Sequence, residues 1–142
     1  MRILLPVDGS DASLRVIQHL IARRDVYAQP DALEVHVLNV QQDLPGHVGR
    51  LVHAGDLADY HREEGMKCLA AARQALDAAA IQYTHHIGVG DPGDIIIQYV
   101  AKLGCEEIRM GLHNRGVLAD FFMGSVSTEV IKLTQVPVLL VP

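Results

Sequence analysis

The chain has no tryptophan, two phenylalanines and four tyrosines, so aromatic residues fill only 4% of its 142 positions. Yet 49% of its residues are apolar, so the core has to be built from Val, Ile, Leu and Ala. That composition argues against an aromatic-rich β-sandwich and for a parallel sheet covered by helices. Cysteine is scarce as well. Cys68 and Cys105 show no paired spacing, which fits a reducing cytoplasm better than a disulfide scaffold. There is no excess of positive charge: the formal net charge is −5, and a general affinity for nucleic acid or an anionic membrane surface is not expected. Long apolar runs are absent too. The run Ile3 to Val7 holds Pro6 and stops at Asp8, too short for a signal peptide, and no stretch is long enough to span a bilayer. The expectation is one cytoplasmic domain over residues 1–142.

What is present is a regular alternation. Ile3 to Val7 reads as a strand buried on both faces. Asp8-Gly9-Ser10-Asp11 breaks it, with Ser10 or Asp11 placed to cap a helix. That helix carries Leu14, Ile17 and Ile21 and ends near Arg23-Arg24. Leu33 to Val40 is a second strand, and Gln41 to Gly55, with its glycines and Pro45, is a long loop. A long helix follows over Asp56 to Ala80, with Leu69, Ala72, Leu76 and Ala79 along one face. Its early turns, Tyr60 to Glu64, read as solvated, and Gly65 as a weak point. Ile81 to Val89 is the third strand. Asp91 then reads as an N-cap with Pro92 as the first helical residue, and Gly104 as the stop. A strand over Glu107 to Met110, a helix over Val126 to Thr134 and a strand over Pro137 to Val141 complete the series. The fold class expected is α/β, an open parallel five-stranded sheet with helices on both faces.

The stretch from Arg109 to Ser125 carries the most chemistry. A strand runs into Gly111, a loop follows, and Gly124-Ser125 opens a helix. Glycines let backbone approach a ligand, and free N–H groups at a helix start point at an anion. The same glycines also end strands and start helices for structural reasons. In an open parallel sheet, ligands bind beyond the carboxyl ends of the strands, where the winding reverses. Asp8 and Gly111 would share that crevice if the first and fourth strands are neighbours. Asp8 then has two readings, a ligand or metal contact and a turn former. Within the loop, His113 reads as a phosphate contact or a solvated histidine. Arg115 reads as a phosphate partner or a surface partner of Asp120. Phe121 and Phe122 read as packing beneath the loop, as a lid, or as a partner contact.

These residues resemble the universal stress proteins of the small single-domain type. The likeness runs from the opening Ile3-Leu4-Leu5-Pro6-Val7-Asp8-Gly9-Ser10 to the closing Val136-Pro137-Val138-Leu139-Leu140-Val141. Its most specific part is Gly111, two residues, Asn114, nine residues, Gly124, Ser125. Nucleotide-binding members carry glycine at all three of the first positions, so three of four match. The resemblance implies the strand order 3-2-1-4-5 and an ATP site, with or without Mg2+. It places Asp8 by the adenosine, the Val40 backbone at the adenine, Pro6 and Gly111 along the ribose, and Asn114, Gly124, Ser125 and Val126 at the phosphates. It also implies a homodimer through the last strand, 136–141, an edge a monomer would have to shield. Asn114 is the departure, and asparagine is the best replacement for glycine wherever φ is positive. Family members without the glycine pattern do not bind ATP, which leaves a dimeric adaptor as one alternative. A slow nucleotide hydrolase is another. No general base beyond Asp8 can be named, so any hydrolysis is expected to be slow.

Eight histidines are spread along the chain without the helical spacing of a zinc enzyme, and no metal site is expected. His85 and His86 are adjacent on a strand and should face opposite ways. Cys68 and Cys105 read as small apolar residues rather than redox sensors. No Ser–His–Asp or Cys–His set can be placed.

Overall fold

Five parallel strands form one sheet in the order β3-β2-β1-β4-β7, which is the 3-2-1-4-5 order expected. The computed structural model describes residues 1–26, 32–46, 50, 52–114 and 121–142, the side chains of Asn114, Phe121 and Phe122 excepted. The elements are β1 (Arg2–Pro6), α1 (Asp11–Ala22), a 3-10 turn (Arg24–Val26), β2 (Glu34–Gln41), α2 (Ala54–Ala78), β3 (Tyr83–Val89), α3 (Pro92–Leu103), β4 (Glu107–Gly111), β5 (His113–Asn114), β6 (Phe121–Phe122), α4 (Ser125–Leu133) and β7 (Val138–Val141). β1 is the hub, pairing β2 on one side and β4 on the other.

Alternate residues of the strands feed two separate cores. Ile3, Leu5, Val35 and Val37 pack with Val16, Ile17 and Leu20 of α1 and Leu69 and Leu76 of α2. Leu4, Leu38, Ile108 and Met110 pack with Ile96 and Val100 of α3 and Val130 of α4. A strand buried on both sides needs an unbroken apolar run, which is why β1 has no polar alternation. Each fully buried Leu or Ile contributes roughly 1.5–3 kcal/mol. Asp91 caps α3 by accepting from the Gly93 and Asp94 N–H groups, Pro92 follows it, and Gly104 closes the helix, as the sequence indicated. His85 and His86 do face opposite ways: His85 lines the α2 side, whereas the His86 ring lies 5.5 Å from Tyr99 of α3.

Other expectations need correction. The early turns of α2 are not all solvated: His61 is 4% exposed. It lies four residues before Gly65, and i, i+4 positions share a helix face. The helix runs unbroken through Gly65. That glycine is buried, and a side chain there would collide with Ile87 of β3. The segment after Gly111 is also not loop throughout, because His113–Asn114 and Phe121–Phe122 pair as a short antiparallel ladder. Aromatic residues favour extended backbone, and Phe121-Phe122 supplies one of its two strands.

No helix among the described residues is long and apolar enough to cross a membrane.

Candidate nucleotide crevice

The crevice is built at the carboxyl ends of β1 and β4. After β1, the Val7 N–H donates to the Leu38 carbonyl at 2.8 Å, so Val7 continues the ladder. The buried Asn39 amide donates to the Val7 carbonyl at 2.7 Å and is itself met by Gln41 at 2.7 Å. With Val7 held on both sides, the chain turns sharply. Gly9 has φ +84°, a conformation that disfavours any residue with a Cβ. The turn is closed by Ser10, whose N–H donates to Asp8 Oδ1 at 2.9 Å and whose hydroxyl donates to the same oxygen. The Ser10 hydroxyl oxygen accepts from the Ser13 N–H at 3.3 Å, so it also caps α1.

Asp8 therefore is a turn former, and its second oxygen stays exposed. Partial burial pushes its pKa up, but hydrogen bonds from Ser10 and Ser13 and the charge of His113 outweigh this, leaving it below the ordinary carboxylate range. Its other oxygen, Oδ2, lies 4.0 Å from His113 Nε2. Asp8 and His113 thus face one another across the mouth of the crevice.

Gly111 ends β4 where α1 begins. A Cβ on Gly111 would fall on the backbone carbonyl of Ala12. The glycine is needed for that close approach of strand and helix, whatever the crevice holds. Beyond it, the Leu112 N–H donates to the Val141 carbonyl at 2.8 Å. Arg15 of α1 donates through Nη2 to the Leu112 carbonyl at 2.7 Å and through Nε to the Pro142 carbonyl at 3.2 Å. This clamp ties α1 and the end of β7 to the start of the loop. Sequence reasoning missed it, because a lone arginine in a helix has no pattern.

Gly124 is the N-cap of α4, with φ −63° and ψ 164° and no side-chain cap. Any residue can adopt that backbone, so conformation does not explain the glycine. A Cβ there would meet His113 Cδ2 at 3.4 Å, an ordinary contact, but a larger side chain would fill the space between His113 and the helix start. The glycine keeps open the approach to the first-turn N–H groups of α4, the positive end of its dipole.

Asp8, Gly111, His113 and Gly124 are thus brought together, with Ser125 exposed at the helix start. Pro6 is the last residue of β1, while Val40 and Val126 are half-buried against the core on the α3–α4 side. Asn114 pairs with Phe121 in extended backbone, so its tolerance of positive φ is not used here. Arg115, Gly116 and Asp120 lie outside the described residues, as do the side chains of Phe121 and Phe122. Neither thiol is placed as a nucleophile. Cys105 is buried, and burial and then Glu34 push its pKa up to about 11. Cys68 packs behind Gly9. Away from the crevice, Asp91, Asp94 and Glu129 form the one cluster of possible metal-ligand side chains among the described residues. Burial, then Asp91 and Asp94, raises the pKa of Glu129, and Asp91 is engaged as the α3 cap.

Strand order and the flanking helices together define an open α/β fold of the Rossmann-like type. The family model described as "Universal stress protein family" matches residues 1–142, and the chain belongs to that family. Among its relatives, universal stress protein MJ0531 of Methanocaldococcus jannaschii is 29% identical, over 99% of this chain and 81% of its own. The solved structure of MJ0577, from the same organism, has a TM-score of 0.77 at 27% identity, over 99% of this chain and 94% of its own. A universal stress protein family member from Arabidopsis thaliana, solved with AMP bound, has a TM-score of 0.68 at 18% identity, over 99% of this chain and 90% of its own.

Proposed function

We propose that this protein, acting as one domain over residues 1–142, binds ATP or a related adenine nucleotide in the crevice between β1 and β4. It works as a cytoplasmic nucleotide-dependent stress-response switch. The observation that carries this reading is the uncapped start of α4 at Gly124-Ser125, which opens toward His113 and Asp8. Backbone N–H groups and the helix dipole suit the phosphates, despite the negative net charge. Ser125 adds a hydroxyl, and His113, Asn114 and Arg115 belong to the same loop. Asp8 takes the ribose side or a Mg2+ carried by the nucleotide, with Pro6, Val40 and Gly111 forming the adenosine wall and Val126 the support below. That the fold carries AMP in the Arabidopsis relative supports the ligand class.

The protein works as a homodimer in which the β7 edges pair. β7 ends the sheet, and Leu139 on it is 38% exposed. The test is Gly124→Arg, which places a long side chain across the helix start while keeping a backbone open to any residue. The folded variant should lose at least about tenfold in ATP affinity, and unchanged affinity would show the phosphates bind elsewhere.

A further inference from the structure

A cavity of about 360 Å3 lies between α2 and the edge strand β3, away from the crevice proposed for the nucleotide. That volume is within the range of small-molecule sites. Gly65 sets its geometry: without a Cβ it lets α2 settle onto Ile87. One turn earlier on that face, His61 forms part of the cavity wall, and neither of its ring nitrogens has a hydrogen-bond partner. A buried polar group left unpaired is uncommon and calls for an explanation. The composition of the wall gives one. Its ionisable side chains are all basic (His61, Arg62 and His85), and the remainder is apolar, chiefly Met66, Ile87 and Val89. Arg62 spends one arm on Asp59 at 2.7 Å, and a guanidinium has donors left over.

We propose that this cleft is a second ligand site for a small amphipathic anion, a carboxylate on a short hydrocarbon body. The body lies on Met66, Ile87 and Val89. The carboxylate meets Arg62 and His85, and the His61 ring turns to donate the N–H that folding leaves unpaired. Binding here orders the α2–β3 edge and is independent of the nucleotide reading.

The experiment follows the imidazole signals of His61 and His85 by two-dimensional NMR as octanoate is added, with acetate and octanol as head-only and body-only probes. Octanoate should shift both histidines to a saturating endpoint, at least about tenfold more tightly than either control. Arg62→Glu, on an exposed helix position, should weaken octanoate about tenfold and leave the unfolding midpoint and ATP affinity as they were. His61→Leu should weaken octanoate while His85 still reports. Unmoved histidine signals, an Arg62→Glu protein that binds as tightly, or octanol binding as well as octanoate would each overturn the proposal.

Discussion

Gly111 packs two backbones against each other before it serves any ligand. Replacing it with alanine puts a methyl on the Ala12 carbonyl, which is backbone and cannot rotate away. Strand or helix must shift, at a cost of roughly 1–3 kcal/mol. Gly111→Ala should therefore lower the urea midpoint even without nucleotide. An unchanged midpoint would mean the glycine matters only to the ligand. The sequence made Gly111 conspicuous but not its reason, because the atom it accommodates lies 99 residues away, at Ala12. Gly124 is the reverse case, since its backbone needs no glycine and the ligand reading explains it better. His61 was misread because its neighbours Tyr60, Arg62 and Glu63 are exposed. The burial of a single position in a polar turn depends on Gly65 and Ile87, not on local pattern.

Elements were far more legible than their contacts. Apolar runs, Asp91-Pro92 and Gly104 mark strands and a helix through local chemistry that survives tertiary folding. The β5–β6 ladder was not legible, since two residues on each side leave no period to detect. Nor was the tie between β2 and β3. His36, buried on β2, has its Nε2 3.0 Å from Glu34 and its Nδ1 3.0 Å from His86 Nε2. The Glu34 carboxylate only accepts, so His36 donates from Nε2, and in the neutral tautomer that fits this its Nδ1 accepts from His86. The hydrogen bond from Arg2 holds the Glu34 carboxyl below its ordinary pKa. Burial, then His36, His85 and Lys102, lowers the pKa of His86. A base whose folded pKa lies below its unfolded one gives stability that is full above the unfolded value, about 6.5, and is lost as pH falls through the folded value. The thermal midpoint should drop between about pH 7.5 and pH 5.5, and less steeply in His86→Gln. Equal slopes would remove the imidazole pair from the account.

At the scale of the whole molecule, β3 and β7 are the two edges of the sheet. β7 presents Leu139, with Ile131 and Leu133 of α4 at 40% and 43% exposure. An apolar edge strand invites pairing with another copy. Sedimentation should find twice the chain mass for the native protein and the single-chain mass for Leu139→Asp. A monomeric native protein would contradict the β7 pairing. The strand order itself did not come from periodicity, which gives alternation but not neighbours. It came from the family resemblance, and it is the order that sets Asp8 beside His113 and Gly124.

The central claim is that these residues form a working nucleotide site although Asn114 replaces a glycine. Equilibrium binding of Mg-ATP, with AMP and GTP alongside, to protein stripped of bound nucleotide tests it most directly. Saturable binding that favours adenine nucleotides and is lost in Gly124→Arg is the predicted result. No binding at millimolar ATP by the folded protein would contradict it and would turn attention to protein partners.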